Sequence, residues 1–155
     1  MQIKLVEAHV IRLKNNILEF LLLKRSPSES YPNLWQMVTG SIQEGETAYQ
    51  TAIRELREET SLIPEKLWII PNINAYYSPK DDRIYHIPVF AALANENHEV
   101  KISSEHSEFI WAPYEKSHKL LAWEGQRKSQ YIIKEYFAGN SSYCFIEIKK
   151  SDWKL

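Results

Sequence analysis

Gly40-Ser41-Ile42-Gln43-Glu44-Gly45-Glu46 leads into Thr47–Thr60, a run that contains Arg54-Glu55-Leu56-Arg57-Glu58-Glu59. Thr47 and Gln50 fit a capping box and Pro64 stops any continuation, so residues 47–60 read as a helix. Ala48, Ala52 and Leu56, joined by Ile53, make its apolar stripe. Glu55, Glu58 and Glu59 stand at i, i+3 and i+4, which puts three carboxylates on another face. Like charges at that spacing repel. Two readings follow. One is a solvated acidic face screened by Arg54 and Arg57. The other is a site for hard divalent cations, to which the glycine-bearing loop could add a backbone carbonyl.

The flanking sequence reads as strands around this helix. Residues 2–13 and Ile17 to Leu23 pair through the turn Lys14-Asn15-Asn16, and Lys24-Arg25 close the second strand. Ser26 to Asn33, with two prolines and three serines, is a loop, and Leu34 to Val38 is a short strand running into Gly40. Trp68 to Tyr77 and Arg83 to Ala94 form a further strand pair, followed by a short strand at Phe109-Ile110-Trp111. Tyr114 to Ala122 and Gln126 to Phe137 read as helices, and Tyr143 to Ile148 as a last strand. Strands with inserted helices imply a mixed sheet in an α/β or α+β sandwich.

Composition narrows the function. A chain of 155 residues is expected to form a single domain, residues 1–155, large enough for its own core. Nineteen Lys+Arg against twenty Asp+Glu give no global field for a nucleic acid or a membrane surface. The N-terminus carries Lys4, Glu7, Arg12 and Lys14, unlike a signal peptide, and no apolar run is long enough for a membrane span. The one cysteine, Cys144, cannot pair internally, and its apolar neighbours suggest a small buried hydrophobe. A cytoplasmic protein is expected; a homodimer is allowed.

The segment as a whole sharpens the choice. Gly40, Glu46, Arg54-Glu55, Leu56, Glu58-Glu59 and Leu62, at their spacings, resemble the Nudix box over residues 40–62. At about 6% usage per residue, six fixed matches arise by chance on the order of once in 10⁷ starting points. Ser61 stands where the family pattern has glycine, which puts the local turn in question. The resemblance implies an α/β/α sandwich with a mixed sheet and a Mg²⁺-dependent hydrolase (Mn²⁺ able to substitute) that cleaves a phosphoanhydride. Glu55, Glu58 and Glu59 match its metal-binding face. Glu46 and Arg54 match partners that brace the loop and helix, and the Thr39 carbonyl matches a further metal ligand.

Trp35-Gln36-Met37-Val38-Thr39-Gly40-Ser41 with Glu44-Gly45-Glu46-Thr47 resembles the branch containing dihydroneopterin triphosphate pyrophosphatase and dATP pyrophosphohydrolases. Glu105-His106, Trp111 and Trp123 resemble the same branch, and Glu105 matches its late metal ligand. The alternative for Glu105 is a loop acid capping the Ser103-Ser104 turn. Lys24 and Arg25 are phosphate binders or an exposed strand-end pair. Trp35 and His106 join them as substrate-side candidates. Tyr76, Tyr77, Tyr85 and Trp123 are stacking platforms or ordinary packing. His86, His98 and His118 show no metal spacing.

The expected substrate is a small nucleoside or pterin triphosphate, with no nucleic acid or membrane partner. A dinucleoside polyphosphate is the runner-up. A Nudix-fold binding module without catalysis and an RNA-decapping enzyme are the rivals. The retained acids count against the first, and the near-neutral charge and single domain against the second.

Overall fold

The computed structural model describes residues 3–139 and 142–154; the start of the expected first strand at Gln2 lies outside them. Its elements in order are β1 (Leu5–Lys14), β2 (Ile17–Arg25), β3 (Trp35–Gln36), β4 (Val38–Ser41), α1 (Ala48–Thr60), β5 (Lys66–Ser78), β6 (Arg83–Leu93), β7 (His106–Pro113), α2 (Tyr114–Leu120), α3 (Glu124–Phe137) and β8 (Ile146–Glu147). Asn15 and Asn16, at φ 51° and 61°, make the tight β1–β2 turn whose twist matches the paired strands.

One mixed sheet runs β3-β2-β1-β6-β5-β8, with β4 paired to β1 and β7 to β2. β1 and β6 are parallel; the other pairs are antiparallel. β1 pairs with β2 through Ile11–Lys14 and with β4 through Leu5–Ala8, so the two partners share one edge of it. The expected single strand Leu34–Val38 is therefore two. Trp35 and Gln36 bond to β2, whereas Val38 to Ser41 bond to β1. Met37, fully buried against Leu22 and Leu121, fills the switch between them.

The pleat sorts the core onto both faces. Val6, Ala8 and Val10 meet Ala52, Ile53 and Leu56 of α1 on one side, with Phe90, Ala92 and Trp153. Ile11, Phe20, Val89 and Ala91 meet Ile133 of α3 on the other. The result is the layered α/β/α arrangement.

The ends of α1 explain its placement. Thr47 caps it, accepting from Gln50 N while Thr47 N donates to Gln50 Oε1 at 2.9 Å. Ser61 ends it at φ 63°, its N–H on Arg57 O at 2.8 Å. The left-handed turn is thus kept without the family glycine.

Two expectations are corrected at the C-terminal end. Strand pairing there shrinks to Ile146–Glu147, on Trp68 and Ile69. Cys144 is exposed rather than buried. Phe145 is partly buried and stacks on Tyr136 at 3.8 Å, whereas Tyr143, Cys144 and Ile146 around it are exposed. No helix among the described residues is long and apolar enough to cross a membrane.

A serine held in the left-handed region carries a cost of about 1–2 kcal/mol that glycine does not, partly offset by glycine's freer unfolded chain. Ser61→Gly should raise stability by about 0.5–1 kcal/mol. A higher urea midpoint at constant slope is the expected result, and a lower midpoint would refute it.

Candidate active site

The site is assembled on the β4–α1 connection. A side chain at Gly40 would run into Glu55 Cγ, Cδ and Oε1, so Glu55 lies directly against the β4 backbone. That contact explains the glycine by close approach rather than by backbone freedom.

Arg54 organises the acids. Its Nε and Nη2 donate to the two Glu46 oxygens at 2.6 and 3.0 Å. Nη1 reaches Glu55 Oε1 at 2.7 Å and Glu58 Oε2 at 3.1 Å, and Nη2 also reaches Ser41 O at 3.0 Å. One planar fork thus ties three carboxylates and the strand end together, as arginine geometry allows. Glu46 also accepts from Gln43 N at 3.1 Å and Thr51 Oγ1 at 2.8 Å. The bonds from Arg54 above all, with those from Thr51 and Gln43, hold its carboxyl down at about 2.

Glu59 behaves in the opposite way. It is 4% exposed, and burial, then the charges of Glu55, Glu105 and Glu58, push it up to about 9 against the pull of Arg25. Its Oε2 is buried with no partner. Glu55 is raised by burial too, against the pull of Arg54 and with smaller contributions from Glu58 and Glu105. Glu105 is thereby placed beside Glu55 and Glu59, on the loop whose carbonyl at residue 105 accepts from Ser26 N at 2.9 Å.

These donors suit a hard divalent ion. They are all oxygens, one is buried without a partner, and like charges crowd one spot. Among the described residues, no three acidic, histidine or cysteine side chains already converge on a common point. Glu55 and Glu58 lean on Arg54 instead. Thr39 immediately precedes Gly40 and pairs with Glu7 across β1.

The substrate-side candidates separate. Arg25 lies near Glu59 and His106, its Nε on Ser30 O at 2.5 Å. His106 is buried, its Nε2 3.2 Å from Gln36 Nε2, and burial followed by Arg25 lowers its pKa. Lys24 sits with its ammonium 5.7 Å from the Trp35 ring and 3.5 Å from Glu108. Trp123 precedes α3, 54% exposed, with Tyr31 edge-on at 6.0 Å. Tyr77 is not brought to this group: it stands at the β5–β6 turn with its hydroxyl on Asp82 at 3.0 Å. Tyr85 is a buried packing residue, stacked on Tyr76.

Thr51, Gln36 and the Ser41 carbonyl were not among the sequence candidates. Gln36 meets His106 70 positions away, a contact that no local pattern signals.

Comparison with known proteins agrees with this geometry. The NUDIX domain model matches residues 4–133. The mouse asymmetrical bis(5'-nucleosyl)-tetraphosphatase is 33% identical over 123 residues, covering 75% of this chain and 79% of that protein. The Escherichia coli dihydroneopterin triphosphate diphosphatase is 51% identical over 41 residues, 25% of this chain and 27% of that protein. A crystal structure of a C. elegans Ap4A hydrolase binary complex superimposes with a TM-score of 0.75 at 25% identity, covering 89% of this chain and 99% of that one. With the family model spanning most of its length, this chain belongs to the Nudix family and is a hydrolase of pyrophosphate bonds.

Proposed function

We propose that this protein is a Mg²⁺-dependent pyrophosphohydrolase, with Mn²⁺ able to substitute, that cleaves a phosphoanhydride of a nucleoside or pterin triphosphate. The observation that carries this reading is the buried, unpartnered Glu59 oxygen beside Glu55, Glu58 and Glu105. Glu55, Glu58, Glu59, Glu105 and the Thr39 carbonyl would hold the cations. Bound there, such ions neutralise a polyphosphate, polarise its phosphoryl oxygens and acidify a water.

The side chains then have separate tasks. Arg54 fixes the facing of Glu55 and Glu58 from the protein side. Arg25, on the same side as Glu59, supplies a fixed cation for phosphate oxygens. A carboxylate of the set accepts the proton of the water that attacks phosphorus. A second reading, a dinucleoside polyphosphate as substrate, is favoured by the length of the likeness to the mouse tetraphosphatase.

A hydrolysis screen with Mg²⁺ over nucleoside triphosphates, dihydroneopterin triphosphate and dinucleoside polyphosphates tests both readings. Turnover of one class, abolished by chelation, is expected; a silent panel from folded protein refutes the proposal. Glu58 is 58% exposed, so Glu58→Gln should spare the fold. It should lower kcat by about 10²–10⁴-fold with little change in KM.

The raised Glu59 pKa yields a further outcome. Below about 9 this carboxyl is mostly protonated, and a cation must displace that proton. Calorimetry in buffers of different ionisation enthalpy should therefore show about one proton released per Mg²⁺ bound at neutral pH. Apparent affinity should rise about tenfold per pH unit up to that pKa. Affinity independent of pH would exclude Glu59 as a ligand.

A further inference from the structure

β1 carries two polar side chains in an apolar run, Glu7 and His9, and the pleat places both on the face covered by α3. Glu7 is 5% exposed, and no cation pairs with it among the described residues. Its Oε2 accepts from Asn74 Nδ2 at 2.7 Å, and its Oε1 from Gln126 Nε2 at a long 3.4 Å. Asn74 Oδ1 accepts in turn from Asn72 Nδ2 at 3.1 Å, and Asn72 also donates to Ser129 Oγ at 2.8 Å. Gln126 Oε1 is buried with no partner. A side chain at Gly125 would strike Asn74, so the first turn of α3 is pressed onto this cluster.

A buried carboxylate held only by neutral amides is an expensive way to attach a helix to a sheet; apolar residues would do it better. The proposed cleavage chemistry does not use it. Its position is nevertheless close to that chemistry. Glu7 lies directly opposite Thr39 in the β1–β4 register, one residue from Gly40. Trp123, exposed ahead of α3, stands one turn before Gln126, whose N–H donates to its carbonyl at 3.1 Å.

We propose that Glu7 and the Gln126 carbonyl oxygen form the group that reads the substrate's heterocycle, and that it selects a 2-amino-4-oxo ring such as guanine or pterin. Two neighbouring acceptors match a ring edge that presents an N–H beside an exocyclic amino group. Adenine offers an amino group beside a bare ring nitrogen, which would face one acceptor with another. Asn74 holds the Glu7 carboxylate in place, and the long contact from Gln126 is the one a ligand replaces. The assignment rests on the phosphoanhydride reading only for where the phosphates lie.

Monophosphates separate the two, because they contain no anhydride to cleave. Equilibrium binding of GMP, IMP and AMP to the full chain should favour GMP over both others by about tenfold or more; IMP lacks only the 2-amino group. Glu7→Gln should bring GMP down to the level of AMP. If that variant does not fold, Gln126→Leu, which removes the second acceptor, should weaken the GMP preference. Equal binding of the three, binding of none, or a GMP preference that survives both substitutions overturns the proposal. A silent hydrolysis screen with an intact GMP preference would refute the cleavage reading alone.

Discussion

The loop acid Glu46 and the helix acids Glu55 and Glu58 share a single cation, which the chain supplies from the same helix. Arg54 reaches Glu46, Glu55, Glu58 and the Ser41 carbonyl at once. The loop before α1, the helix and the end of β4 are thereby locked to one guanidinium. Gly40 completes the lock from the strand side by leaving room for Glu55. An ion pair at the surface is worth little alone. Together these contacts fix where the acids point, and the functional reading follows from that orientation.

The sheet beneath is shaped to the same end. β1 and β2 diverge, and the chain between Trp35 and Ser41 fills the gap by changing partners at Met37. This brings the β4 backbone under α1 while leaving Trp35 and Lys24 on the opposite face. One short segment therefore serves both sides of the sheet, with the β4 backbone against Glu55 on one and Trp35 on the other.

Much of this was readable from the residues. The helix announced itself through Thr47, Gln50 and the Ala52–Leu56 stripe, because capping and periodicity are local. The acidic face was readable for the same reason. What was not readable depends on distant partners. The split of Leu34–Val38 depends on which strand lies beside each residue, and the apolar stretch around Cys144 packs only Phe145 against the core, leaving Tyr143 and Ile146 exposed. Glu7 showed only as a charge in an apolar strand, since Asn74 and Gln126 lie 67 and 119 positions away. Ser61 was noted as an irregular residue, but only the backbone reveals that it keeps the left-handed turn.

Trp153 belongs to the same buried cluster as Val6 and Leu56, with its indole N–H on Ile148 O at 3.1 Å. The layer that holds α1 to the sheet is therefore closed by residues almost 150 positions apart. During synthesis, α1 can form early but cannot finish its packing until residue 153 has left the ribosome. Long-range closure of this kind slows folding and lengthens the time that apolar strands stay uncovered. A folding chain thus keeps part of the α1-facing layer uncovered until Trp153 docks.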